Sequence, residues 1–499
     1  MSTYSLIGAF LRNARERPLA PALVWRDEEI GYGDLLDRAE SARVRLRGIG
    51  APPTEPVCLL AAKSPEAVAM VLACLVERRA FLIPPPDLGA RALRGLVDLS
   101  GCRAVLTPED TPGDRVPVGT DAPVPLLPEH TSFMLTTSGS TGMPKVVPLE
   151  TRAVDRFTRW AGGRFDLGPG AKVLNHAPLH FDLCLLDVWA TLAHGGCVVL
   201  VDPGRAARGD HLLDLASRWE VSTVQAVPMF YRLAADAARA GRRFLPSVRH
   251  AIITGDSAPG PLLRRLPGLL PNARLYNVYG CTETNDSLLH EIEPGEGLHT
   301  PLPLGSPLPG VSAVVVDSDG RPLQGPGNGE LWVRTPFQTR GYLGRANDRT
   351  AFADLAGSGG RDGERFFRTG DLVRRDGTGR ITLEGRRDFH VKVRGVRVNT
   401  QEVEHVLLEH PDVVEAAALA RRDPVAGHLL HLVVRRAPES RLNSLALRDH
   451  CAVRLPRAAL PSSVRITDDA LPRTSTGKPD REHIARIYLG SGAPTNKEN

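Results

Sequence analysis

A chain of 499 residues, 42% hydrophobic and 24% charged, has enough material for a large core and for more than one domain. Its formal net charge of +5 is small for that length, so composition gives no argument for nucleic acid. The 7 cysteines (Cys58, Cys74, Cys102, Cys184, Cys197, Cys281, Cys451) form no CxxC pair, which argues against a disulfide framework or a zinc site and fits reduced thiols in a cytoplasm. No apolar run approaches the ~18 residues of a membrane helix, and Met1-Ser2-Thr3 opens with no basic segment and apolar signal core.

Residues 1–130 alternate helical and strand patterns. Ile7, Phe10, Leu11 and Ala14 predict a helix closed by Pro18, and Ala22–Trp25 a strand. Asp34 is a candidate cap for a helix with Leu35, Leu36, Ala39, Ala42 and Leu46 on its apolar face. Val57–Ala61 and Ala104–Leu106 read as strands, and Pro65–Leu75 as a buried helix with proline in its first turn. The Pro-, Asp- and Gly-rich Pro108–Pro128 reads as a loop.

That loop leads into Thr136–Lys145, TTSGSTGMPK. Gly139 and Gly142 let backbone amides converge on an anion, Thr136, Thr137, Ser138, Ser140 and Thr141 add hydroxyl donors, and Lys145 adds a mobile charge. This is a candidate phosphate cradle, though not of Walker A spacing, because no Ser or Thr follows Lys145. Alternation then resumes. Helices are expected at Val154–Trp160, His211–Trp219 and Met229–Arg239, and strands at Val198–Asp202, Val221–Val227, Ala251–Thr254 and Arg274–Val278. The last strand opens into Tyr279-Gly280-Cys281-Thr282-Glu283. Ligands of open α/β sheets gather at the carboxyl ends of strands, so these polar strand ends can share one site.

From about residue 305 the texture changes to short strands and turns: Val311–Asp317, Gly329–Thr335, Phe366–Asp371, and a hairpin turn at Asp376-Gly377-Thr378-Gly379 before Ile381–Glu384. Phe389–Val398 follows. Asn399 and Glu402 form a candidate capping box for a helix carrying Val403, Val406 and Leu407, ended by Pro411; Val413–Leu419 and Leu430–Val434 read as strands. Ser491–Asn499 is polar and expected to be disordered.

Seven motifs in order, TTSGSTGMPK, FDLCLLDVW (Phe181–Trp189), NVYGCTE (Asn277–Glu283), GELWVR, FFRTGD, GRRDFHVKVRGVR and PRTSTGKPDR (Pro472–Arg481), resemble the adenylate-forming superfamily. The resemblance covers nearly the whole chain and is nearest to free-standing amino acid adenylation enzymes such as D-alanine and proline–carrier protein ligases. It implies an α/β fold: a large N-terminal domain of stacked mixed sheets and helices (1–387), a small mobile α+β lid (388–488) hinged at Asp388, and a disordered tail (489–499). It also implies two steps, adenylation of a carboxylate by ATP with Mg²⁺ and transfer to a thiol.

By that resemblance, Thr137, Ser138, Gly139, Ser140, Thr141, Gly142 and Lys145 hold the β- and γ-phosphates, and Asn277 and Tyr279 face the adenine. Thr282 touches the α-phosphate and Glu283 ligates Mg²⁺. Asp371, assisted by Arg386, binds the ribose hydroxyls. Lys478 bridges the carboxylate and the α-phosphate, and Lys392 with Arg394-Gly395 serves the thiol step. His180 reads as a pocket-wall histidine. Departures from the pattern are Val146 after the cradle lysine, Thr151 near a position where histidine is frequent, Cys281 where proline is common, and the ERRAFLIPPP stretch at Glu77–Pro86.

Asp182 carries the substrate class. In the amino-acid branch the matching aspartate pairs with the substrate ammonium, and a buried carboxylate without such a partner is costly. The side-chain pocket is assigned to Leu183, Leu186, Ala226, Ile252, Thr254, Val278, Asp286 and Ser287, which suggests a small or cyclic amino acid, proline-like or a β-amino acid. Asp286 is left between binding a second amino or hydroxyl group and facing solvent. The thiol acceptor is expected on a separate carrier protein in trans, with no nucleic acid or membrane partner, in the cytoplasm. The alternatives are an acyl- or aryl-CoA ligase and a nucleotide-binding protein without chemistry.

Overall fold

The computed structural model describes residues 4–50, 52, 54–108, 116–117, 127–137, 145–294, 301–344, 351–355, 365–393, 396–423, 427–455, 459–474 and 479–490. Its centre is a nine-stranded mixed sheet. Five parallel strands form the middle: Cys197–Leu200, Lys172–Asn175, Thr223–Ala226, His250–Thr254 and Arg274–Cys281. Pro21–Trp25 joins parallel to Cys197–Leu200 and carries antiparallel Glu28–Gly31 at that edge. Antiparallel Asn285–Ile292 and Ser306–Pro307 complete the other. The chain leaves Lys172–Asn175 for a neighbour on one side and later returns on the other, so a topological switch point opens at the carboxyl end of that strand.

Both faces of this sheet are covered, which is why its middle strands read as continuous apolar runs. On one face pack Leu6–Glu16, Tyr32–Arg47, Pro65–Val76 and Thr151–Arg164, with Trp189, Tyr276 and Phe133 in the same cluster. On the other lie Gly209–Arg218 and Pro228–Gly241. The helix Pro65–Val76 is apolar and buried on nearly every side, and Ser64 caps it by accepting from the Ala67 amide at 3.1 Å. A six-stranded sheet runs from Val116–Pro117 through Ala104–Leu106, Val57–Leu59, Phe81–Leu82 and Thr131–Thr137 to Lys145–Glu150.

Two five-stranded sheets follow. The first holds Ser312–Val316, Gly327–Arg334, Phe352–Ala353, Phe366–Arg375 and Ile381–Arg386. The second holds Val396–Asn399, His390–Val393, Gly427–Arg436, Val413–Asp423 and Ser463–Thr467, with its own apolar core. Arg232, on the helix Pro228–Gly241, reaches this last unit: its guanidinium donates to the Val413 carbonyl at 2.9 Å and also to that of Val414. No helix of the described residues is long and apolar enough to cross a membrane.

The expected elements are present, with shifted ends. Gly31, not Asp34, is the N-cap of Tyr32–Arg47; Asp34 sits in its first turn, where a carboxylate favours the positive end of the helix. Asn399 does cap Thr400–Leu408, accepting from the Gln401 amide at 3.0 Å. The helix expected from Met229 begins one residue earlier, at Pro228, since proline suits a first helical position. Val116–Pro117 is a short strand inside the expected loop. Phe366–Arg375 runs on past Asp371, and Arg274–Cys281 past Tyr279. Ser491–Asn499 and most of the Pro108–Pro128 loop lie outside the described residues.

Candidate active site

Four neighbouring parallel strands end with Asn175, Ala226, Thr254 and Cys281 at one edge of the main sheet. The chain turns there tightly. Between Arg274–Cys281 and Asn285–Ile292 the ladder is irregular at Tyr279/Gly280, and a Cβ on Gly280 would stand 2.4 Å from the Asn285 carbonyl oxygen. Asn285 takes φ 53°, a left-handed conformation that asparagine tolerates, and donates to the Phe337 carbonyl at 3.0 Å. This turn carries Thr282, Glu283 and Asp286 at the carboxyl end of the strand.

On the nucleotide side, Thr137 and Lys145 are cross-strand partners that close the ends of a hairpin. Ser138, Gly139, Ser140, Thr141 and Gly142 lie outside the described residues. The Lys145 ammonium sits 4.6 Å from the centre of the Tyr342 ring, and the Tyr342 hydroxyl donates to Glu283 Oε1 at 2.5 Å. The Glu283 carbonyl accepts from the Thr339 amide at 2.9 Å. Glu283, buried and fixed at both ends, is thus linked to the cradle lysine through one aromatic ring. Among the described residues no group of three His, Cys, Asp or Glu could hold a metal by itself. A single carboxylate beside a phosphate cradle does fit Mg²⁺, which takes one or two carboxylates and completes its shell from nucleotide phosphates and water.

Asp371 is held from three sides. Its amide donates to Thr369 Oγ1 at 3.0 Å, Arg386 donates to Oδ1 at 3.0 Å, and the Tyr279 hydroxyl donates to Oδ2. Burial, reinforced by the Asp371 charge, pushes the Tyr279 phenol well above its usual range, so it stays a donor. Asn277, on the same strand face, donates to the Pro303 carbonyl at 2.8 Å. Asp388 lies in the turn Arg387–Phe389 and Lys392 in the strand His390–Val393, but their side chains, like the whole of Lys478 and Arg394-Gly395, lie outside the described residues.

On the acyl side, Asp182 follows the switch-point strand, just before a π-helical turn, Leu185–Ala190. Burial raises its pKa, and the nearby Thr282 hydroxyl pulls the other way. Leu186, Ile252 and Val278 are buried in one cluster, with Leu183 packed against it. Thr254 pairs with Val278 in register and is buried beside it. Ala226 departs from the expectation. The register sets Gln225 beside Ile252 and Ala226 beside Ile253, so alternation turns Ala226 into the cluster on the opposite face and Gln225 toward the site. The Ser287 hydroxyl is consumed locally, by Thr284 Oγ1 and the Asn285 carbonyl, both at 3.1 Å. His180 is buried against Phe181, and burial lowers it to about 4, so it stands neutral as a wall residue.

Sequence reasoning missed Tyr342 and a polar cluster beneath the pocket. Gln225 donates to the Leu183 carbonyl at 2.9 Å and to Asp187 Oδ1 at 3.1 Å; Asn175 donates to Asp187 Oδ2 at 3.1 Å. Lys63 donates to the Asn175 and His176 carbonyls at 2.9 and 3.0 Å. Burial lowers Lys63 to about 8, while Asp187 pulls the other way. The only sequence signal was polarity inside apolar runs: Lys63 before a helix, Gln225 in a buried strand, Asp187 amid FDLCLLDVW.

Comparison with known proteins bears on this arrangement. The profile of AMP-binding enzymes matches residues 10–343, and that of their C-terminal domain residues 402–478. The chain belongs to the AMP-binding enzyme family. This AMP-binding enzyme is an AMP-forming ligase, 32% identical to an L-proline–[L-prolyl-carrier protein] ligase of Streptomyces coelicolor, over 93% of each chain. It is also 32% identical to the ligase of the same name from Pseudomonas fluorescens, over 94% of this chain and 89% of the other. A solved four-domain nonribosomal peptide synthetase, bound to AMP and glycine, superimposes with a TM-score of 0.82 at 22% identity, covering 100% of this chain and 37% of that one. At that identity the likeness concerns the fold, that of adenylate-forming enzymes.

Proposed function

We propose that this AMP-binding enzyme activates a small amino acid with ATP as its aminoacyl-AMP and passes it to the phosphopantetheine thiol of a separate carrier protein, in the cytoplasm, for natural-product assembly. The observation that carries this reading is Asp182, a half-buried carboxylate at the switch point between Phe181 and Leu183, which pack on the apolar cluster, with the neutral Thr282 hydroxyl as a neighbour. An anion in such a setting is stabilised by a cationic ligand, and a substrate ammonium supplies one. Plain acids have no such use for it. The prolyl-carrier protein ligases support the same class, and a small cyclic or β-amino acid falls within it.

In the first step a substrate carboxylate oxygen attacks the α-phosphorus, the bond to the β-phosphate bridging oxygen breaks, and pyrophosphate leaves. Thr137, Ser138, Gly139, Ser140, Thr141, Gly142 and Lys145 hold the leaving phosphates, and Asp371 with Arg386 fixes the ribose. Tyr279 and Asn277 flank the base. Glu283 would hold Mg²⁺, which supplies positive charge to the phosphates when bound. Thr282 stands between the acyl and phosphate halves, and Lys478 enters from the C-terminal unit to steady the reacting oxygens. In the second step the carrier thiol attacks the acyl carbonyl and AMP leaves. A unit of 388–488 turning about Asp388 presents Lys478 for one step and Lys392 for the other.

Pyrophosphate exchange across a panel of acids tests this. Exchange that needs the α-amino group supports it. Equal exchange with simple acids, followed by transfer to coenzyme A, overturns it in favour of a CoA ligase, and ATP binding without exchange for any acid overturns it in favour of a non-catalytic protein.

A further inference from the structure

A second carboxylate, Asp286, lies within the field of Asp182. It leaves the Thr282–Asn285 turn at the head of the strand Asn285–Ile292, opposite Gly280. The residue is partly exposed, but its Oδ2 is sealed from solvent and accepts no hydrogen bond. Burial and the nearby charge of Asp182 lift its pKa to about 7. Asp187 lies within the same field, and repulsion from Asp286 raises it further. Nearby Lys63 is committed to the Asn175 and His176 carbonyls, and its charge acts on Asp187. No Lys, Arg or His of the described residues forms an ion pair with Asp182 or Asp286.

Two half-buried carboxylates within each other's field, one of them with a sealed and unbonded oxygen, are stabilised by a cationic ligand that reaches both. One ammonium bonded to Asp182 leaves Asp286 either ionised without a partner or holding its proton, with Oδ2 still unbonded. A hydroxyl satisfies the Oδ2 lone pair but leaves the charge. Two ammonium groups leave the pair neutral and both oxygens bonded. Resting on the amino-acid reading above, we infer that Asp286 is the second anionic contact of the acyl pocket and that the substrate is a short diamino acid, its α-ammonium on Asp182 and its side-chain ammonium on Asp286. A short side chain is proposed because Leu186, Ile252 and Val278, assigned above to the side-chain pocket, are fully packed, with exposures of 0%, 0% and 2%. Proline brings a single ammonium and leaves Asp286 unpaired.

The test is pyrophosphate exchange by the full chain with ATP and Mg²⁺, on 2,3-diaminopropionate and 2,4-diaminobutyrate against 2-aminobutyrate, serine and proline. A diamino acid is expected to exceed each neutral one at least about tenfold in kcat/KM, the return on one charge-assisted hydrogen bond. Asp286→Asn, nearly isosteric, should lower the diamino value about 10–100-fold and raise that of 2-aminobutyrate. Because that variant can fail to fold, the wild-type KM for the diamino acid is also followed against pH; it should fall as pH rises through 7, where Asp286 loses its proton. Preference of the wild type for proline, serine or 2-aminobutyrate overturns the inference, as does an unchanged preference in Asp286→Asn. Those results keep the dependence on an α-amino group and leave the ligase reading standing, whereas exchange indifferent to that group removes the reading itself.

Discussion

Asp187 and Asp286 are both shielded carboxylates near the same strand ends, and the chain treats them differently. Around Asp187 it has built a complete shell: Asn175 and Gln225 each donate to one oxygen, and Lys63 stands near enough to offset the charge. Around Asp286 it has built walls and left one oxygen bare. The first arrangement stabilises a fold, since Gln225 also grips the Leu183 carbonyl and so fixes the segment that presents Asp182. The second is completed only by a ligand. Burial of a charge does not by itself distinguish scaffold from site; what distinguishes them is whether the protein satisfies the charge from its own residues.

The largest effect separating the two regions is expected at Asp182. Asp182→Ala should cost about 3–5 kcal/mol of transition-state stabilisation, because it removes the partner of a buried ammonium. Pyrophosphate exchange should fall accordingly while ATP binding is kept; unimpaired exchange would place the ammonium elsewhere. Asp187→Ala should act on stability instead, by about 3 kcal/mol, since it strands Lys63, Asn175 and Gln225. Urea unfolding of the core checks this, and a purely kinetic phenotype would erase the contrast drawn above. Asp371→Asn should raise the KM for ATP by about 10–30-fold, the loss of a charged acceptor worth ~1.5–2 kcal/mol, and leave the KM for the amino acid in place.

A pH series sharpens the comparison at Asp286. In the folded, ligand-free chain this group holds its proton up to about 7; unfolded, it loses it near ~4. The folded form therefore binds the extra proton between those limits, so stability falls as pH rises through the window. Asp286→Asn should flatten that slope, as followed by thermal unfolding from pH 4 to 8; an undiminished slope would assign it to other groups. The smallest effect is expected for Tyr342→Phe. Loss of the hydroxyl on Glu283 should cost about 1 kcal/mol, seen as a severalfold rise in the Mg²⁺ needed for half-maximal exchange with unchanged amino-acid KM.

Much of this was legible beforehand for identifiable reasons. Buried strands announce themselves as apolar runs, and Gly-, Ser- and Thr-rich turns with a lysine announce an anion, so the alternating elements and the hairpin ending at Thr137 and Lys145 could be read directly. The side-chain direction at Ala226 was not legible, because a one-residue uncertainty in strand register reverses every side chain. The strand Asn285–Ile292 was hidden by Asn285-Asp286-Ser287, polar residues that read as loop but begin a strand whose Asn285 turns through a left-handed conformation. Tyr342 escaped because nothing in its own neighbourhood signals chemistry; its role comes from Lys145 and Glu283, distant in sequence, meeting across its ring.

Arg232 reaches out of the core helix Pro228–Gly241 and takes hold of two main-chain oxygens in the C-terminal unit. Every residue type at Val413 and Val414 offers the same carbonyl. This grip is therefore indifferent to mutation at Val413 and Val414 and wholly dependent on a single guanidinium at its other end, so at this contact the C-terminal unit can change its side chains freely while the core must keep its arginine.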